Sequence, residues 1–268
     1  MTTTTVAHRP YDVDPGQVEA FDRDGHVLLP AVASAQEVAA FREAVRAAVL
    51  RLSKERRPLR DRDTYGRAFL QVFNLWRQDQ AVERFVLADR FAGVAARLLG
   101  AERVRLYHDQ ALFKEPGGGR TPWHQDALYW PLRGRRCVTM WMPLVDVRPE
   151  MGALSFASGT NTGVLSEETI SDASDRAFEA MLAADGRTVT PPVALRAGDA
   201  TFHGGWTVHR ALPNTSEVMR EVMTVIYVAD GERVQEPRNR AQENDLATWL
   251  PGLAPGDPVA SEINPRLP

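Results

Sequence analysis

From Val104 onward the chain consists of short runs rich in β-branched and aromatic residues, and this texture most narrows its possible folds. The runs VRLYHDQALFKE, WHQDALYW, CVTMWMPLVDV, PVALRAGDATFHG and REVMTVIYVAD are separated by Gly, Pro and Asn turns. Strands this short and this numerous cannot each bury an apolar face alone, so they stack into a β-sandwich or jelly roll. The expected fold class is therefore mainly β with flanking helices.

The first hundred residues read differently. Asp14-Pro15 opens a short helix that stops at Gly25, and HVLLPAV then has the alternation of a strand. Ser34 caps a long helix in which Val38, Phe41, Val45, Val49 and Leu52 recur at three- and four-residue spacing, the pattern of an amphipathic helix laid on the body of the domain. A second helical segment is expected from Gln80 to Leu99, ending at Gly100. The organisation that follows is one domain over 1–268: a disordered start over 1–13, a mostly helical flank over 14–100, a β core over 101–230 and a tail over 231–268. The tail reads as surface coil with one short helix near Asn244 to Leu250.

Chemistry concentrates in TPWHQDALYW. In a strand, positions i and i+2 share a face, so His124 and Asp126 point the same way. An imidazole and a carboxylate on one face supply two ligands, and one more histidine completes the facial triad of a non-heme Fe(II) site. Of the six histidines, His8 and His26 precede the β-rich half, leaving His108, His203 and His209 as candidates. His209 is selected because it lies where an apolar strand runs into the turn PNTS, and strand ends at a barrel mouth can gather ligands while leaving positions open. His108 and His203 are read as structural or supporting residues. Arg220 opens REVMTVIYV on the face of Val222, Thr224 and Ile226; an inward arginine is costly unless it meets an anion, and its planar fork suits a carboxylate.

These segments together resemble the phytanoyl-CoA dioxygenase-like branch of the Fe(II)/2-oxoglutarate-dependent oxygenases. The resemblance runs from about residue 17 to 230 through FDRDGHVLLP, KEPGGGRTPWHQDALYW, MGALSFASGTN and HRALPNTSEVMRE. It implies a double-stranded β-helix (jelly roll, cupin-like), with His124, Asp126 and His209 holding Fe(II) and Arg220 pairing with the distal carboxylate of 2-oxoglutarate. Lys114, Gln110, Gln125 and Trp141 stand at positions that resemble cosubstrate-pocket residues. With 2-oxoglutarate and O2 the implied reaction releases succinate and carbon dioxide and removes a hydrogen atom from a small-molecule substrate. Hydroxylation is the default outcome, with epimerisation, desaturation or ring formation as alternatives. A carboxylate at Asp126 argues against halogenation, since related halogenases carry a small residue there. A cupin-type metal enzyme that does not use 2-oxoglutarate is the rival reading, and it gives Arg220 no partner.

The remaining features bound the partners. Taken singly, Tyr107, Phe113, Tyr129, Trp130, Phe156 and Trp206 are core aromatics, but Tyr129, Trp130 and Trp206 lie close enough in sequence to the ligands to wall an organic substrate's pocket. A net charge of −3 gives no general attraction to nucleic acid or an anionic membrane, and the basic run RLSKERRPLRDRD is interleaved with acids as a solvated face is. The lone Cys137 reads as a small buried hydrophobe, and the start MTTTTVAHRPYDVD lacks the marks of a secretory signal. A cytoplasmic protein is expected. Arg- and Ala-rich usage points to a high-GC bacterial source, in which such oxygenases tailor natural products. The polar, acidic segment between Gly163 and Thr190 reads as an insertion at the barrel mouth, where lids and selectivity reside.

Overall fold

A computed structural model describes residues 9–166 and 169–268. Of the N-terminal stretch expected to be disordered, residues 1–8 lie outside the described residues. Beyond them Val13 is buried in the main core and Tyr11 donates its hydroxyl to the Pro30 carbonyl at 3.0 Å.

Helix α1, Pro15–Asp24, starts at a capping box in which the Asp14 side chain accepts from the Gln17 amide, and it ends at Gly25 with φ 81°. Strand β1 covers only His26–Leu29, because the chain turns at Pro30. Helix α2, Ala35–Leu52, is capped by Ser34 and buries Val38, Phe41, Val45, Ala48 and Val49. After α3, Thr64–Ala68, and β2, Leu70–Phe73, the expected single helix from Gln80 to Leu99 proves to be two: α4, Gln80–Val86, and α5, Asp89–Leu98. The break is Ala88, which is extended at ψ 126°. Both helices bury their apolar residues in one core, so the apolar recurrence carries across a change of axis that it cannot register.

The β core comprises β3, Val104–Phe113, β4, Thr121–His124, β5, Cys137–Pro143, β6, Leu154–Phe156, β7, Ala200–Gly204, β8, His209–Ala211, and β9, Val222–Ala229. They form two antiparallel sheets, the larger in the order β1-β7-β5-β9-β3 with β2 also on β3, the smaller in the order β4-β8-β6. This is the jelly-roll arrangement. In β9 every residue is buried, yet alternation still sorts its faces: Met223, Val225 and Tyr227 join the helix-covered core, while Val222 and Ile226 face the interior between the sheets. A bulge in β3 between Leu106 and His108 leaves Tyr107 unpaired; Tyr107 packs with Ile226 and His108 lines the central cavity.

Helix α6, Asp172–Ala184, lies in the insertion after β6 and packs on β4. The tail departs from the expected surface coil. Helix α7, Arg240–Trp249, begins four residues earlier than expected, at the cap Asn239, whose side chain accepts from the Gln242 amide at 2.9 Å. Val259 and Ile263 are then buried, and β10, Arg266–Leu267, adds to the edge of β3. The Asn264 amide donates to the Leu106 and Tyr107 carbonyls at 3.1 and 2.9 Å, pinning the bulge. A tail rich in polar residues still docks because a few apolar side chains and one asparagine find partners made by distant strands.

Candidate functional site

His124 ends β4 and His209 begins β8, and these two residues are opposite one another in the ladder, with ring centroids 4.1 Å apart. Asp126 reaches the same point by another route than alternation in a strand. Pairing of β4 stops at His124, and without a further ladder partner the chain curls into a 3-10 turn over Asp126–Leu128. That turn is anchored by the Ala127 amide, which donates to the Gly205 carbonyl at 2.8 Å. A side chain at Gly205 would place its Cβ 2.6 Å from the Trp130 ring and 2.8 Å from Cys137 Sγ, so the close approach requires glycine.

The ligand-type atoms converge. Nδ1 of His124 lies 2.8 Å from the Pro122 carbonyl, and Nδ1 of His209 lies 3.0 Å from the Thr207 carbonyl. With the proton on each Nδ1, both Nε2 lone pairs are free, and they lie 3.6 and 3.8 Å from Asp126 Oδ1. The other oxygen of Asp126 accepts from Thr139 Oγ1 at 3.1 Å and lies 3.4 Å from Nε2 of His203. Burial opposes ionisation of Asp126, but its contacts with His209, His124 and His203 more than offset this and hold the carboxyl well below its usual range. Burial first, then His124 and His203, keep the His209 imidazole uncharged.

The cluster opens on a cavity of about 860 Å³, counting its mouth. Arg220 stands at one side of it, almost fully buried, with its guanidinium carbon 5.4 Å from the Trp141 ring centre and Thr224 beside it in the wall. It does not belong to β9 itself but pairs with Lys114 through both backbone groups, each at 2.9 Å. Its Nη1 donates to the Gly152 carbonyl and its Nε has no hydrogen-bond partner. Burial alone lowers it to about 9, with no acid raising it, so at neutral pH it is an uncompensated cation. Gly152, in MGALSF, sits at φ 80°, and a Cβ there would come within 2.5 Å of the Leu212 carbonyl and 3.0 Å of Lys114 Cδ.

The other expected residues are placed as follows. Trp141 and Gln110 line the cavity, the Gln110 side-chain Oε1 accepting from Gln71 Nε2 at 2.6 Å. Lys114 lies behind the wall, its Nζ donating to the Gly119 carbonyl; burial first, then Arg220, lowers it to about 6. Gln125 is turned away from the cavity. Its Nε2 donates to the Gly163 and Trp206 carbonyls and its Oε1 accepts from the Leu165 amide, which ties down the start of the insertion. Tyr129 and Trp130 line the cavity, whereas Trp206 lies in a separate shallow groove with Phe21 and Leu98. The insertion touches the site through Ile170, which lines the cavity and donates its amide to the Tyr129 hydroxyl at 2.9 Å.

Sequence reasoning set His203 and His108 aside, and both line the cavity. It missed Tyr65, Phe73, Asp245 and Trp249 altogether. These come from the helical flank and from α7, and nothing local in their segments marks them as wall residues.

Two antiparallel sheets enclosing two histidines, an aspartate and a buried arginine that has no acidic partner among the described residues define the jelly-roll class of proteins with a candidate metal centre between the sheets. The chain belongs to the phytanoyl-CoA dioxygenase (PhyH) family, which it matches over residues 21–222. Among curated relatives, it is 27% identical over 174 residues to a 2-aminoethylphosphonate dioxygenase from uncultured bacterium HF130_AEPn_1, a match covering 64% of this chain and 64% of the relative's length. Among solved structures, it is similar to the non-heme alpha ketoglutarate dependent carbocyclase SnoK from nogalamycin biosynthesis, with TM-score 0.79 and 27% identity over 97% of this chain and 100% of that one. The epimerase SnoN, solved with Fe3+, alpha ketoglutarate and nogalamycin RO, superposes with TM-score 0.75 and 26% identity over 95% of this chain and 100% of that one.

Proposed function

We propose that the chain is an Fe(II)/2-oxoglutarate-dependent oxygenase acting on a small organic molecule held against the aromatic wall. The observation that carries this reading is the junction of the His124, Asp126 and His209 donor atoms, all within 4.8 Å of one another, with the unpaired Arg220 on one cavity. Two neutral imidazoles and one carboxylate are the donor set of a facial Fe(II) site. They fit the ion because both Nε2 atoms are left free by Nδ1 hydrogen bonds to carbonyl oxygens, the arrangement that orients ligating histidines. When bound, Fe(II) with O2 supplies the oxidative decarboxylation of 2-oxoglutarate to succinate and carbon dioxide and the removal of a hydrogen atom from the substrate.

The chain's own part is positional. Arg220 receives the distal carboxylate of 2-oxoglutarate through its planar fork, with Trp141, Thr224 and Gln110 shaping the space beside it. His124, Asp126 and His209 fix where the oxo-acid end must lie. The aromatic side chains exclude water and hold one C–H bond toward the metal position. A cupin-type enzyme that does not use 2-oxoglutarate would leave Arg220 buried without a partner, so that reading is less favoured.

Hydroxylation is the default outcome, and epimerisation, desaturation or ring formation require only a different fate for the substrate radical. The likeness to SnoK and SnoN supports a place in bacterial natural-product tailoring. No helix among the described residues is long and apolar enough to cross a membrane; a cytoplasmic location belongs to this proposal. The insertion around α6 is proposed as the lid, on the contact of Ile170 with the cavity and Tyr129. The test is succinate release that requires both added Fe(II) and 2-oxoglutarate. Turnover of a substrate without 2-oxoglutarate would overturn the assignment.

A further inference from the structure

The cavity wall contributed by α7 carries a second carboxylate, Asp245, that the reaction as described does not use. Its Oδ2 accepts from the Tyr107 hydroxyl at 3.0 Å, which fixes its orientation. Trp249, one turn further along α7, lines the same cavity, with its ring centre 5.0 Å from that of Phe73 and 5.2 Å from that of His108. Tyr65 and Tyr129 stand in the same wall, close enough to Asp245 to feel its charge. Burial raises the Asp245 carboxyl to about 7 against the opposing hydrogen bonds from the Tyr107 and Trp249 side chains, so it is about half ionised at neutral pH and has no cationic partner among the described residues that line the cavity.

Among the described residues that line the cavity, Arg220 is the one arginine or lysine. His108 cannot serve as a cation, since burial lowers it to about 3. With Fe(II) and the 2-oxoglutarate dianion in place their charges cancel, and Asp126 cancels Arg220. When ionised, Asp245 then remains as an uncompensated negative charge among aromatic side chains. A carboxylate in a cavity wall shared with tryptophan, phenylalanine and tyrosine side chains is suited to an ammonium group, which gains an ion pair and aromatic contacts together. An anionic substrate group would meet only like charge there.

We propose that Asp245 is a specificity-determining residue that receives a protonated amine of the substrate, in the part of the cavity lined also by Trp249, Phe73 and Tyr65. The charge balance rests on the oxygenase reading above; the contact itself does not. The substrate class is thus an aromatic or alicyclic molecule bearing a basic amine.

The experiment uses the full metal-free chain at pH 8 and isothermal titration with two matched probes, 2-(2-naphthyl)ethylamine and 2-(2-naphthyl)ethanol. Binding of the amine about tenfold or more tighter than the alcohol is expected in the parent, with the ratio falling to within about twofold in Asp245→Asn. Asparagine keeps the size of the side chain and an acceptor for Tyr107. Equal or weaker binding of the amine in the parent, or no binding of it, overturns the proposal without recourse to any variant. An amine preference that survives in Asp245→Asn also overturns it, and would assign the cation to Asp126. Because neither metal nor 2-oxoglutarate is present, a negative result here leaves succinate release untouched, and failure of succinate release leaves this contact untouched.

Discussion

Nε2 of His203 lies 3.4 Å from Oδ2 of Asp126, and neither ring nitrogen of His203 has a hydrogen-bond partner. The imidazole is almost fully buried on β7, in register with Thr139 of β5, which itself donates to the same carboxylate oxygen. Such an arrangement leaves Oδ1 of Asp126 turned to His124 and His209 while Oδ2 is restrained from behind. His203 is therefore expected to act through Asp126 as a positioning residue.

His203→Asn should lower Fe(II) affinity about tenfold to a hundredfold with the fold retained, whereas His124→Ala or His209→Ala should abolish tight binding. Fe(II) titration followed by circular dichroism checks both. Unchanged affinity in His203→Asn would show that the ring only fills space.

Arg220 should separate cosubstrate binding from metal binding. Arg220→Ala removes charge and fork together and should cost about 2–5 kcal/mol of 2-oxoglutarate binding, with Arg220→Lys intermediate. Fe(II) affinity without cosubstrate should hardly change. Paired titrations, metal first and 2-oxoglutarate second, read the two separately; parental 2-oxoglutarate affinity in Arg220→Ala would make the arginine structural.

Lys114 should give the apo protein a measurable pH dependence. Its ammonium has an ordinary value of 10.5 and is lowered by burial to about 6 in the fold. Between those values the unfolded chain holds more protons, so stability rises with pH by about 1.4 kcal/mol per unit and is lost as pH falls toward 6. Lys114→Met removes this slope. Between pH 6.5 and 8.5 the parent should gain about 2–3 kcal/mol relative to the methionine variant in urea unfolding. Parallel curves for the two proteins would mean that the lysine is charged in the fold.

Gln125 distinguishes tethering from cosubstrate contact. Gln125→Ala leaves the Gly163 and Trp206 carbonyls and the Leu165 amide without their partner, at a cost of about 2–4 kcal/mol of stability. The 2-oxoglutarate affinity of the folded variant should stay within about twofold of the parent. A large loss of that affinity with stability unchanged would return Gln125 to the cosubstrate pocket.

What the sequence determined by itself was local or carried by spacing along one segment. Alternation and turn residues marked β3, β5 and β9, the caps Asp14 and Ser34 marked two helices, and HQD, His209 and Arg220 were legible as a set because their chemistry is unusual among strand residues. The alternation argument put Asp126 beside His124 for a reason the fold does not use: the strand stops at His124, where its ladder partner ends, and a turn held by Gly205 brings the carboxylate in. Tertiary structure decided which side chains share the cavity. Gln125 and Trp206 sit within three residues of His124 or His209 and yet leave the cavity wall, while Asp245 and Trp249 join it from a segment that reads as polar tail. The physical reason is that a cavity wall is assembled across sheets and helices, so membership depends on the direction of a side chain after distant segments have packed. Periodicity reports a residue's face within its own element and carries no information about which other element that face will meet.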